Sequence, residues 1–204
     1  MLPGMVTAAA PGDRRRAKVL HRHFHMVSSS LHRHHEYEDE HFWPAVAERD
    51  PLDADLAHRM ESQHARIAET LLRLPELWDA WIAEPDSDTA APLAFQLAEL
   101  ANSLVEHLDD EERYLLPILE RTLSVAEWDA FGKHAADTTP KRELLLIGGM
   151  AMEEMTPQEV EDMAQHLAVA VWLIRHLDRP IYRRYARKVR VAHGSRVGGG
   201  HAGR

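Results

Sequence analysis

Two segments of this 204-residue chain place a histidine and a glutamate four residues apart in matched surroundings. The first runs His34-His35-Glu36-Tyr37-Glu38-Asp39-Glu40-His41-Phe42-Trp43-Pro44. The second runs His107-Leu108-Asp109-Asp110-Glu111-Glu112-Arg113-Tyr114-Leu115-Leu116-Pro117. Aligned without gaps, both read His, Glu four on, a second acid, two large apolar residues, and a proline ten after the His. One such pair alone is commonly a solvated surface pair. Two copies with the same flanks predict an internal repeat. On an α-helix, residues four apart lie one turn apart on one face. Each pair can therefore turn one imidazole and one carboxylate toward a common cation.

Further candidates surround the repeat. His64 lies among Met60, Ile67, Ala68 and Leu71 and is expected to face inward. His35 adjoins His34. His23 precedes His34 by about three helical turns, on nearly the same stripe. The chain has 15 histidines, and nearly half crowd between His21 and His41. Composition alone thus points to metal. Imidazole and carboxylate without thiolate suit iron, manganese or zinc. Inward-facing Glu and His on facing helices can build a two-metal carboxylate centre. Asp39 and Glu112 are expected to support ligands or to face solvent.

The chain contains no cysteine, which excludes disulfides, thiolate zinc sites, iron–sulfur clusters and a Cys nucleophile. Lys and Arg total 24 against 33 Asp and Glu, a net charge of -9, so nucleic acid is not an expected partner. The longest apolar runs, 144–152 and 167–174, are too short to span a bilayer. The chain reads as cytoplasmic.

Helical periodicity runs throughout, with no sustained alternating pattern. Residues 1–12 read as a flexible N-terminus or a remnant of a preceding helix. Asp13 is a fair N-cap for a helix to about Arg49, with Pro44 ending or kinking it. A second helix spans about 52–83, with Pro75 a kink. Residues 84–92 form the clearest loop, and a third helix spans about 92–122. Residues 13–122 hold the metal-binding helices. Residues 123–191 are further helices packing on them: Ser124-Val-Ala-Glu127 opens one, Pro140 another, and Thr156-Pro-Gln-Glu159 a third reaching about Asp178. Residues 192–204 form a disordered tail. Trp43, Trp78, Trp81, Trp128 and Trp172 read as core anchors. No acid follows Asp178, and the basic end of the chain reads as a solvated helix or a surface for an acidic partner.

The His-x3-Glu repeat, with "HHEYEDEHFWP", "EHLDDEERYLLP" and "MESQH" between them, resembles the hemerythrin-like family of HHE cation-binding domains, bacterial type. The resemblance covers roughly residues 13–120. It implies an all-α, up-and-down helical bundle, here with extra C-terminal helices. It also implies two non-haem iron ions joined by an oxygen bridge, manganese or zinc being less expected. Carried over, His34, Glu38, His64, His107 and Glu111 are iron ligands, and Glu38 and Glu111 bridge. The chain departs from the family in three places. A ligand His on a helix before the first repeat is not found, with Leu2–Val6 its only candidate remnant. His35, His23 or another His would have to substitute. The residue four after His64 is Ala68, where oxygen carriers have a second His. Those carriers also end in His-x4-Asp, whereas Glu112 stands five after His107.

The resemblance implies binding of a small ligand, oxygen, nitric oxide or peroxide, for sensing, storage or detoxification. Weak peroxide turnover would be incidental to that role. One alternative is a helical interaction module with a structural or vestigial metal site. Another is a ferritin-like di-iron oxidase or peroxidase, which Glu-x-x-His pairs would favour, whereas the repeats run His-x3-Glu. A homodimer or an unidentified protein partner is compatible with all three.

Overall fold

The computed structural model describes residues 1–49, 54–161 and 179–191. Its elements are helices α1 (Leu2–Thr7), α2 (Arg14–Tyr37), α3 (Trp43–Arg49), α4 (Ala54–Ala83), α5 (Ser87–Asp110), α6 (Leu116–Thr122), α7 (Val125–Thr138), α8 (Lys141–Glu154) and α9 (Arg179–Arg190). Two π-helical segments, Glu38–Phe42 and Glu111–Leu115, join α2 to α3 and α5 to α6. Among the described residues there is no strand. The fold is an all-α helical bundle.

Local signals set the helix ends. The Asp13 side chain accepts from the Arg16 amide and caps α2. Gly12, at φ +78°, makes the turn before it, where a side chain would be strained. The loop expected over 84–92 is much shorter. Asp86 and Thr89 form a capping box that starts α5 at Ser87, leaving Pro92 inside the helix. Pro75 likewise stays within α4. The Ser124–Glu127 capping box opens α7 as the sequence implies. Residues 1–7 are not loose: α1 packs on α5, and Val6 is buried. The helix expected to run from Thr156 to Asp178 is described only as far as Glu161, and Trp172 and the tail from 192 lie outside the described residues.

Pro44 does not end its helix, and neither does Pro117. A proline inside an α-helix lacks an N–H, and its ring collides with the carbonyl four residues back. Here each proline follows a turn widened to π geometry. The Trp43 amide donates to the Glu38 carbonyl, and the Leu116 amide to the Glu111 carbonyl. The extra residue per turn accommodates the ring and re-aims the preceding glutamate. The repeat in sequence is thus a repeat in structure.

Two apolar clusters stack along the bundle. One holds Leu20 of α2, Ile67, Leu74 and Trp78 of α4, and Leu93 and Leu100 of α5. The other holds Trp43 and Val46 of α3, Met60 of α4, and Leu115 and Leu119 beyond α5. α2 and α4 reach both clusters, and α5 reaches the second through its continuation into Leu115 and Leu119; the chain direction alternates, so the topology is up-down-up. Trp43, Trp78 and Trp81 are the largest fully buried side chains. Trp128 is only partly buried, against the second cluster.

α9 is tied down by polar contacts. The buried Arg16 guanidinium donates to the carbonyls of Lys188 (2.8 Å) and Val189 (2.6 Å), satisfying the open end of that helix. Glu153 of α8 receives Arg190 and the Tyr182 hydroxyl, which hold its carboxyl down to about 2. A carboxyl lowered on folding contributes stability above its ordinary range and loses it as it is protonated. The α8–α9 contact is therefore expected to weaken as pH falls from about 5 toward 2. Amide protection in 179–190, taken relative to the intrinsic exchange rate at each pH, should fall over that interval in the wild type and not in Glu153→Gln.

Candidate metal centre

Between the two apolar clusters lies one polar layer. Each long helix supplies it: His34 and His35 at the end of α2 with Glu38 just beyond, Gln63 and His64 on α4, and His107 at the end of α5 with Glu111 just beyond. His35, Glu38, Gln63, His64 and His107 are all buried, His107 completely. Burial of so many polar groups in one layer is costly unless something pairs with them.

The donors fall into two groups. His35, His64 and His107 form one, and His34, Glu38 and Glu111 the other, each with its ligand atoms within 4.8 Å of one another. Glu38 joins them: Oε1 lies 3.3 Å from His34 Nε2 and Oε2 lies 3.6 Å from His64 Nε2. Glu111 Oε2 is 3.8 Å from His107 Nε2, so it too stands between the groups. His35 stacks on His64 at 3.9 Å and meets His107 edge-on.

Outer contacts aim the rings. His64 Nδ1 donates to Asp39 Oδ1 at 2.7 Å, and the Trp43 indole N–H donates to the same oxygen at 2.8 Å. His107 Nδ1 donates to Gln63 Oε1 at 3.1 Å. Gln63 in turn donates to Asp110, which pairs with Arg59. Both rings carry their proton on Nδ1 under this assignment, so both present a bare Nε2. Those two nitrogens lie 3.3 Å apart. Two lone pairs at that distance repel, and a cation held by both removes the repulsion.

Electrostatics agree. Burial, with Glu111 and Asp39 adding, pushes the Glu38 carboxyl up to about 9. Burial, with His64 adding, pushes His34 down to about 4 and His107 likewise to about 4. His35 is pushed to about 2, chiefly by burial. Burial drives every donor toward its neutral form. His35 Nε2 and Glu38 Oε2 are buried without a hydrogen-bond partner among the described residues. A divalent ion would supply both the missing charge and the missing partners. The donor set therefore fits metal, with nitrogen and oxygen ligands only.

The structure brings together His34, His35, Glu38, His64, His107 and Glu111 from the sequence candidates. His23 lies apart, its Nδ1 2.6 Å from the Tyr185 hydroxyl. It shares a stripe with His34, but eleven residues of helix separate them by ~16 Å, too far to share an ion. Glu112 is exposed. Two Glu-x-x-His spacings occur, Glu38–His41 and Glu61–His64, and the fold splits both. His41 stacks on Tyr37 outside the layer, and Glu61 pairs with His58 at the surface. Gln63 and Asp110 carried no spacing signal, since their role depends on which neighbouring helix they face.

Removing an outer contact typically lowers metal affinity by roughly 10–100-fold. Asp39→Ala and Gln63→Ala are each expected to do so without changing the number of ligands. Competition with a chelator of known affinity measures the loss.

A family model of the hemerythrin HHE cation binding domain matches residues 4–119, more than half of the chain. No curated protein and no solved structure matches it significantly. The matched span contains all six clustered donors and both π-segments. The chain belongs to the hemerythrin HHE cation-binding family.

Proposed function

We propose that this protein holds two non-haem iron ions and binds a small ligand, oxygen, nitric oxide or peroxide, for sensing, storage or detoxification. The observation that carries the proposal is the meeting of the two donor groups at Glu38. His35, His64 and His107 would hold one ion, His34 the other, and Glu38 and Glu111 both. Bound iron supplies reversible one-electron chemistry and affinity for small oxygen and nitrogen ligands.

The residues contribute the surroundings. Apolar side chains above and below the layer exclude water and strengthen every electrostatic contact inside it. Asp39 and Gln63 fix the ring orientations. His34 is the one partly exposed imidazole of the set, so small ligands would approach from its side. Among the described residues no helix is long and apolar enough to cross a membrane. The proposal takes the protein as cytoplasmic.

The test is metal analysis of the purified chain, with optical spectra before and after reduction and then with nitric oxide. About two irons per chain, a near-ultraviolet charge-transfer band lost on reduction, and a new band with nitric oxide are expected. Zinc alone, with no spectral response, would favour a structural site.

A further inference from the structure

A second site lies on the opposite face of α2. There α2, α8 and α9 surround a groove of about 560 Å³, within the range of small-molecule pockets. Its floor is apolar, formed by Met26, Leu146 and Val189, all buried, with the Tyr185 ring as one wall. Its rim carries three exposed cations, one from each helix: Arg22, Arg142 and Lys188. Among the described residues no carboxylate pairs with any of these three side chains. Glu143 is the one acid lining the groove.

The frame is set before any ligand arrives. Arg16 fastens α9 to α2 through the Lys188 and Val189 carbonyls. Glu153 fastens it to α8 through Arg190 and Tyr182. Gly149 lets the helices close further, since a Cβ there would lie 2.7 Å from the Tyr182 ring. A merely solvated basic helix would need none of this. It would not bring cations from α2 and α8 over the same apolar floor.

We propose that this groove binds a free amphipathic anion, a carboxylate or phosphate monoester bearing an apolar tail or ring. The head group would sit among Arg22, Arg142 and Lys188, and the tail on Met26, Leu146 and Val189. Charge and shape argue together. The six basic residues of α9 meet no acid within that helix, while the chain as a whole carries 24 basic against 33 acidic residues, a net charge of -9. An anion is therefore attracted to this end of the molecule and repelled elsewhere. The enclosed floor accommodates one tail, which favours a free amphiphile over a bilayer.

The test uses the full chain and decanoate, with decanol, inorganic phosphate and phosphatidylglycerol vesicles as comparisons. Decanoate is expected to shift amide resonances in 19–26, 142–146 and 185–189, with or without metal, because the groove does not include the ligand layer. Decanol, lacking the charge, is expected to bind about tenfold more weakly, and phosphate, lacking the tail, more weakly again. Arg142→Ala and Lys188→Ala are each expected to weaken decanoate about five- to tenfold. Arg113→Ala, elsewhere on the surface, should leave it unchanged. Equal binding of decanol and decanoate would overturn the proposal, as would indifference to both groove substitutions. Tight association with vesicles that decanoate does not displace would also overturn it, placing the basic face on a membrane instead. Failure of iron binding would leave this result untouched, because it reads the groove alone.

Discussion

Replacing Glu38 with leucine is expected to abolish paired metal binding and, in the same molecule, to stabilise the metal-free fold. The two effects share one cause. Glu38 is 1% exposed, with Oε2 lacking a hydrogen-bond partner among the described residues and its carboxyl pushed up to about 9. Without metal it is a buried polar group that meets only part of its hydrogen-bonding capacity. Leucine has similar bulk and removes that cost, a gain of about 1–3 kcal/mol. The gain should depend on pH. A carboxyl raised on folding costs nothing below its ordinary range and progressively more above it, up to its folded value. The stability difference between variant and wild type is thus expected to grow from about pH 5 toward pH 9. Metal binding should fall by on the order of a hundredfold or more, since Glu38 lies between both donor groups. Chemical denaturation of the metal-free proteins and metal analysis of the loaded ones measure the two halves. A variant less stable than wild type in the metal-free state would show that Glu38 organises the layer even without an ion.

The second large effect concerns the inequality of the two positions. One donor group offers three buried imidazoles, while the other offers one partly exposed imidazole and two carboxylates. Imidazole-rich sites hold late first-row ions more firmly, and carboxylate-rich sites suit harder ions. Loading is therefore expected in two steps separated by on the order of a hundredfold in affinity. The His35–His64–His107 position fills first. His107→Ala should then lose the tight step, whereas His34→Ala should keep it and lose the weak one. Stepwise titration against a chelator resolves both. Two equal steps, or loss of both steps in His34→Ala, would mean that the ions bind only as a pair.

These predictions rest on features that differ in how far sequence could show them. The repeated His-x3-Glu placed His34, Glu38, His107 and Glu111, because helical spacing alone puts residues four apart on one face. His64 was legible from the apolar residues around it. The π-segments were hinted at by the prolines ten after each histidine, but the expectation was a kink or a stop. Only backbone geometry shows that a widened turn keeps the helix running. His23 was eligible by its stripe and His35 by its place next to His34. Distance along the helix separates them, since His35 lies at the level of the layer and His23 three turns away.

Sequence by itself determined the class of chemistry. Residue types fix the donor set, the absence of cysteine excludes thiolate, and periodicity fixes helices with an inward stripe. Those are local properties, set by spacing along one chain. Tertiary structure decided which donors share an ion, that Glu38 stands between the two groups, and that Gln63 and Asp39 aim the rings. It also decided that basic residues far apart in sequence, Arg22, Arg142 and Lys188, border one groove. Such relations depend on how separate helices pack. Packing is a sum of many small contacts along whole faces, and no short motif records it.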